Sequence, residues 1–351
     1  MKKWNLILVL IVLSGGTVSL CGCDNQIVRE SAFRRSGTST ETKGSKKKIT
    51  FACWNVQTFF DAVTTGTEYK EFKNSERWNK EKYEKRLEKL CEVMTSLSPD
   101  IFVMEEIENE GVVQDIANRL SSGSWEQKKL WHYACFAKES ESAIGCAVFS
   151  RYELSDMKLH SIDIRTQNED QPLTRPLIQV AVSVGERELE LFVNHWKSKS
   201  GGEAETEIWR DWQEYVLAEN LKIIESTESQ PDKPVIICGD FNRSAEDFIT
   251  KIEKSKKSNT LLRGQGEPVK VCSPWFRSDG TFSIETGSYY YSGEWERIDN
   301  IMLLGNADFT SFSTVTDTPL ADEEGIPLAY KIYTGEGCSD HLPLKCVIEL
   351  F

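Results

Sequence analysis

A chain of 351 residues, 39% hydrophobic and 28% charged, has the balance of a folded globular protein and not of a disordered one. Its formal net charge of -13 excludes a protein that coats nucleic acid electrostatically, because such binding rests on lysines and arginines neutralising phosphates. It does not exclude a nuclease, which needs only a local basic rim and a divalent cation to reverse the field at the bond it cuts.

The first 22 residues read as an export signal. Lys2 and Lys3 precede an apolar run, Leu6 to Leu13, that is too short for a comfortable membrane span. Leu20-Cys21-Gly22-Cys23 resembles the bacterial lipobox, which is cleaved before its cysteine, so Cys23 is expected to become the lipid-bearing N-terminus. Diacylation there supplies enough buried methylene for a stable anchor. Residues 23–48, polar and carrying Arg34-Arg35 and Lys46-Lys47-Lys48, read as a tether, and residues 49–351 as one domain. The chain is therefore expected in a bacterial cell envelope, lipid-anchored on a membrane face the sequence leaves open, with no obligate protein partner. Past the leader there is no CxxC and no zinc-like Cys/His spacing. Cys53 and Cys238 fall in apolar runs, where a thiol acts as a small hydrophobe, so few disulfides are expected.

From Ile49 onward, apolar strand-like runs alternate with amphipathic helices. Lys48–Trp54 reads as a strand. Asn79–Leu97 reads as a helix, with Tyr83, Leu87, Leu90, Met94 and Leu97 at three- and four-residue steps. Pro99–Glu105 is strand-like, and 111–120 is a second helix. Strands follow at 142–150, 177–184 and 189–194. A long helix spans 206–224 with Trp209, Trp212, Val216 and Ile224 along one stripe. A buried strand lies at 234–238, a short helix at 248–252, and late strands at 297–304 and 342–348. Residues 254–292 and 316–337 are loop-rich. Strand runs joined by tight turns and mixed with helices predict an α+β fold: a four-layer sandwich of two packed β-sheets with helices on the outer faces.

Several polar residues end apolar runs, where side chains are held rigidly yet meet solvent. Asn55 ends the first strand and Glu106 the second; Asn194 and His195 follow Leu191-Phe192-Val193. Asp240 and Asn242 follow the Val235 run, either sharing one face of an extended chain or closing an Asx turn. Asp299 lies in Glu296-Arg297-Ile298-Asp299, and Asp340 and His341 in Ser339-Asp340-His341. Of four histidines in the chain, two fall in these polar breaks.

The motifs Asn-Val-Gln, Glu-Glu-Ile-Glu-Asn, Asn-His-Trp-Lys-Ser-Lys, Gly-Asp-Phe-Asn, Glu-Arg-Ile-Asp and Ser-Asp-His occur in the order seen in the endonuclease/exonuclease/phosphatase superfamily, that of the pancreatic deoxyribonuclease-like enzymes. The chain resembles this superfamily over residues 49–350. The resemblance implies a hydrolase acting on phosphodiesters with Mg²⁺ or Mn²⁺, or Ca²⁺ as an alternative ion. Glu106 would be the principal metal carboxylate, with Asn55 and Asp340 completing the metal site and Asp240 and Asn242 flanking it. His341 would be the general base, held in the right tautomer by Asp299, with Asp240 a rival base. His195 would bind a phosphate oxygen or protonate the leaving oxygen. Arg175, Arg151, Lys197 and Lys199 are candidates to grip phosphates.

The wording around Glu106 and His195 resembles secreted bacterial nucleases, which makes DNA the first expected substrate and RNA the next. The inositol-phosphatase stretch Pro-Ala-Trp-Cys-Asp-Arg is absent. A sphingomyelinase-like phospholipase C or another phosphoester phosphatase of the same fold is the alternative, with Tyr289-Tyr290-Tyr291 either a membrane-facing aromatic hairpin or a strand of packed tyrosines.

Overall fold

The computed structural model describes residues 6–12, 19–22, 46–74, 76–122, 131–139, 141–162, 171–227, 232–250 and 259–351. In chain order the elements begin with β1 (Leu6–Val12), β2 (Ser19–Gly22), β3 (Lys47–Phe59), α1 (Lys80–Leu97), β4 (Ile101–Ile107) and α2 (Glu110–Leu120). Next come β5 (Tyr133–Glu139), β6 (Gly145–Ser150), β7 (Glu153–His160), β8 (Leu177–Val184), β9 (Arg187–His195), α3 (Glu203–Glu225) and β10 (Val235–Asp240). The chain closes with β11 (Ile249–Thr250), β12 (Thr260–Leu262), β13 (Val269–Val271), β14 (Tyr289–Tyr291), β15 (Glu294–Glu296), β16 (Asp299–Leu304), β17 (Ala307–Thr314) and β18 (Leu344–Leu350).

Of the two large sheets, one runs β17-β18-β3-β4-β6-β5-β1-β2 and the other β16-β10-β9-β8-β7; β11-β12-β13 and β14-β15 form two small ones. Strand alternation divides the apolar residues into three slabs. Ala52, Trp54, Phe102 and Met104 face outward under α1 and α2, packing on Leu87, Leu90 and Met94. Phe51, Cys53, Val103, Leu191, Val193, Ile236, Cys238 and Ile301 fill the slab between the sheets. Phe192, Val235 and Ile237 pack under α3 against Leu217 and Leu221. The order helices, sheet, sheet, helix is the expected four-layer sandwich. Asn79 starts α1 by accepting from the Lys82 N–H, and Asn109 starts α2 by accepting from Val112. Among the described residues, the eight cysteines from Cys53 to Cys346 are thiols, seven of them buried.

Some boundaries and elements differ from the sequence reading. Lys47 and Lys48, assigned to the tether, already pair with Leu350 and Glu349, so the domain begins two residues earlier. Cys23 and the tether to residue 45 lie outside the described residues. The leader's apolar run forms β1, antiparallel to β5, and β2 folds back on it as the edge strand of the sheet. The expected helix at 248–252 is instead strand β11, paired with β12: a short run of Phe, Ile and Thr fits either period, and the neighbouring strand decides. β7 went unseen because a bulge with Asp156 at φ 47° breaks its alternation. On α3, Trp209 is buried but Trp212 is 41% exposed, so the buried stripe passes beside Trp212.

Candidate active site

The same alternation that builds the central slab also builds the site. Positions 49, 51 and 53 of β3 point between the sheets, and Asn55 is the next inward position. His195 continues Leu189, Leu191 and Val193; Asp240 continues Ile236 and Cys238; Asp299 precedes Ile301 and Leu303. The four polar residues therefore close one end of the apolar slab. Register fixes them side by side: Asp240 lies opposite His195 on the parallel neighbour β9 and opposite Asp299 on the antiparallel neighbour β16. Gly239 allows this pairing, since a Cβ there would meet the Asn194 carbonyl oxygen at 1.8 Å.

Glu106 reaches the same end by a different device. Its neighbour Glu105 faces the slab, so regular alternation would turn Glu106 outward under the helices. A left-handed backbone at Glu106 (φ 66°), matched by Gln57 (53°) and Thr58 (45°), bulges both strands and swings the carboxylate into the cleft. Non-glycine residues in this region cost ~1–3 kcal/mol each and persist only where the surroundings hold them. Arg86 of α1 does the holding: its guanidinium donates to the carbonyls of Val56, Gln57 and Thr58 and stacks on Tyr330, 3.8 Å from ring centroid to carbon. The Gln57 side chain then accepts from the N–H groups of Tyr330 (2.6 Å) and Asp340 (3.1 Å), tying the Asp340-His341 loop to the bulge. Neither residue was singled out from sequence. Gln57 stood inside the quoted Asn-Val-Gln motif, whereas Arg86 reads as an ordinary charge on an amphipathic helix.

The cleft so formed has a volume of roughly 630 Å³ and is lined by Glu106, Arg175, His195, Lys199, Asp240, Asn242, Asp340 and His341, with Tyr69, Tyr289 and Tyr291 on its walls. The Glu106 carboxylate accepts from the Thr58 N–H and from Asn55 Nδ2 (3.2 Å), and the same Nδ2 reaches Asp240 Oδ2 at 3.0 Å. Asn55 thus presents its amide donors to both acids while its Oδ1 accepts from the Gln57 N–H. Asp240 Oδ1 accepts from the Asn242 N–H at 2.8 Å, so the Asx turn forms, and Asn242 still lines the cleft.

The two histidines carry opposite charge preferences. His341 Nδ1 lies 2.8 Å from Asp299 Oδ2. Burial works against its charge, but Asp299, with Asp340 and Asp240 beyond it, outweighs burial and raises its pKa well above the ordinary value. His195 is held well below its ordinary value by burial first, then by Arg175 and His341. Its Nε2 stands 3.9 Å from Glu106 Oε1 and 3.8 Å from Asp240 Oδ2, beyond hydrogen-bond reach. Asp240 is pushed up to about 7 by burial and then by the Asp299 carboxylate directly across the sheet.

The donor chemistry suits a hard divalent cation. Glu106 and Asp340 offer carboxylate oxygens on the cleft wall, the ligand type Mg²⁺ and Mn²⁺ take. Among the described residues, Asp240, Asp299 and His341 hold ligand atoms within 4.8 Å of one another. A cation on His341 Nδ1 would displace the bond to Asp299, whereas Glu106 and Asp340 offer carboxylates on the cleft wall.

The basic residues divide. Arg175 lines the cleft, donating to the Trp196 carbonyl (3.3 Å) and lying against the Tyr69 hydroxyl. Lys199 also lines it, paired with Glu203 and Glu296. Lys197 folds back onto Ser198 and Ser200. Arg151 is a correction: it bonds Asp100 and Ser98 at the start of β4 and stacks on Trp131, about 20 Å along the strand from Glu106 at ~3.3 Å per residue. A cation next to an apolar run looks the same from sequence at either end of a strand.

Known proteins resemble the chain in sequence and in fold. The chain is 24% identical to Xenopus laevis Nocturnin over 206 residues, 55% of this chain and 50% of that protein, so it spans about half the length of the curated relative it matches. The structure of truncated Caenorhabditis elegans TDP2 superposes with a TM-score of 0.56 at 14% identity, over 87% of this chain and 98% of that one. D. rerio TDP2 complexed with a single-strand DNA product superposes at 0.51 and 17% identity, over 86% and 98%. Residues 50–349 match as one continuous unit that takes in every cleft residue named above, and by that match the chain belongs to the Endonuclease/Exonuclease/phosphatase family.

Proposed function

We propose that this phosphoester hydrolase is a divalent-metal-dependent nuclease that cuts phosphodiester bonds in nucleic acid, DNA first. The observation that carries the reading is the single cross-strand row His195–Asp240–Asp299, which meets His341 and Glu106 in one cleft. The relative's DNA product, at low identity, supports the substrate class without fixing it.

Glu106 and Asp340 would hold the cation, with Asn55 setting the Glu106 carboxylate. Bound there, Mg²⁺ or Mn²⁺ supplies charge neutralisation at the phosphate and the leaving oxygen. His195, neutral, donates a hydrogen bond from Nε2 to a phosphate oxygen; with its pKa held well below the ordinary value it rarely carries the second proton a general acid would need. His341, kept cationic by Asp299, faces the phosphate as a positive charge. Asp240, with a pKa near neutrality and its Oδ1 fixed by Asn242, takes the proton from the attacking water. In this arrangement Asp240 is the base and His341 the electrostatic partner, the reverse of the first assignment made from sequence. Arg175 holds a flanking phosphate.

Purified mature protein incubated with plasmid DNA and Mg²⁺ or Mn²⁺ is expected to nick it, and chelation to stop the reaction. Release of phosphocholine from sphingomyelin with no cutting of DNA or RNA under any divalent metal would transfer the protein to the phospholipase reading.

The placement in a bacterial envelope rests on the leader and on Leu20-Cys21-Gly22-Cys23. Among the described residues no helix is long and apolar enough to cross a membrane. Cleavage before Cys23 would remove β1 and β2 and leave β5 at the sheet edge. Mass spectrometry of membrane-extracted protein is expected to find a diacylated Cys23 as the first residue.

A further inference from the structure

One wall of the cleft carries aromatic rings in a row. Strand β14 bridges to the catalytic loop through Tyr289 and His341, and the Leu342 N–H donates to the Ser288 carbonyl at 2.7 Å. This pairing lays the Tyr289 ring against the His341 imidazole, centroids 4.8 Å apart. Tyr291, two residues on and so on the same face, stacks beyond it at 6.2 Å with only 12° between the ring planes. The outer ring is 61% exposed. Tyr290 points the other way and packs edge-on against Trp295. Both same-face tyrosines line the cleft, so this aromatic surface is turned toward the reacting centre and not outward to a membrane.

Resting on the nuclease reading of this cleft, we infer that Tyr289 and Tyr291 form a base-stacking shelf, and that the substrate is a single strand or frayed end whose bases leave the helix stack beside the scissile phosphate. A base paired inside a duplex hides both of its flat faces, whereas an unpaired base can lie on an exposed ring. Stacking of this kind tolerates any base, because every base has a π-face. Arg175 and Lys199 line the same cleft as cations for the backbone, the usual companion of such a shelf.

The test uses the full mature chain with Mg²⁺ and two substrates of equal length: a single-stranded DNA decamer, and the same decamer built wholly of tetrahydrofuran abasic units, which keeps every phosphodiester and removes every base. The wild type is expected to favour the intact strand in kcat/KM by about 5- to 150-fold. Tyr291→Ala collapses that ratio toward one, mainly through KM, and Tyr291→Phe, which keeps the ring, preserves it. Tyr291 is exposed, so folding survives its loss. Equal wild-type rates on the two decamers, or a ratio that Tyr291→Ala leaves in place, overturn the shelf while the nuclease reading stands. Cleavage of neither decamer, with phosphocholine released from sphingomyelin vesicles, overturns both.

Discussion

The cleft has two walls, each with a buried histidine, and the protein treats them in opposite ways. On the β9 wall, His195 has Arg175 close by, its Nδ1 has no hydrogen-bond partner among the described residues, and neither nearby acid is within bonding distance. Burial wins and the ring is neutral. On the opposite wall, His341 is equally buried but bonded to a carboxylate at 2.8 Å, with two more acids behind it, and the charge wins. Burial alone therefore says nothing about what a histidine does; the partner within bonding distance decides. One wall offers a neutral hydrogen-bond donor and the other a fixed cation, the pair that the proposed mechanism sets on either side of a phosphate.

The largest expected effect comes from erasing the difference at its source. Asp299→Asn keeps the shape beside His341 and removes the carboxylate, so kcat is expected to fall by ~10³-fold or more. Titration of His341 by NMR should show its pKa dropping at the same time. If that pKa stays high, Asp340 and Asp240 hold the charge and the role given to Asp299 is wrong.

Next in size is the neutral wall. His195→Ala is expected to cost ~10²–10³-fold, the usual loss for one preorganised donor. His195→Gln, which restores a neutral N–H, should recover most of it. A shift in the pH profile of the glutamine variant would mean that His195 moves a proton after all.

Asp240 stands between the walls, and its titration should be visible in the rate. As a base it works only deprotonated, so kcat/KM is expected to rise about tenfold per pH unit on the acid side, to bend near pH 7 and to level off above it. A bound divalent cation favours the carboxylate, so the plateau should begin at lower pH as metal is added. A profile that falls with rising pH over this range is incompatible with Asp240 as the base.

The smallest effect probes what lies under the His341 wall. Glu105, wholly buried, accepts from Cys53 Sγ, and burial followed by the Asp299 charge pushes it up to about 8. Below pH 4.5 both folded and unfolded chains keep this proton. Between there and about 8 only the unfolded chain loses it, so proton uptake on folding costs more as pH rises and stability declines. Glu105→Gln is expected to raise stability at pH 8 by on the order of 1–3 kcal/mol and to change it little at pH 5, read from denaturant unfolding at the two values. An equal effect at both would show that Glu105 is not the titrating group.

Much of this was legible in the chain. The three- and four-residue steps of α1 and the apolar runs of β3, β4 and β10 announced helix and strand, because a period of 3.6 or 2 is a local property of residues in order. Asn55, Glu106, His195, Asp240, Asp299, Asp340 and His341 stood out because each breaks an apolar run. What sequence left open came from partners distant along the chain. β11 is a strand because β12 lies beside it, and Arg151 lies at the far end of its sheet because the direction of β4 sets which end its cation meets. The charge on each histidine depends on which acids the register brings across the sheet: Asp240 opposite both His195 and Asp299, and His341 on a loop bonded to Asp299. Neither Arg86 nor Gln57 carries a local signal, since their work is to hold carbonyls and amides of a strained bulge that exists only after the sheets pair. The sequence by itself determined which residues could do phosphoester chemistry; the tertiary structure decided their protonation and roles, because electrostatic fields act through space and the chain order does not record those distances.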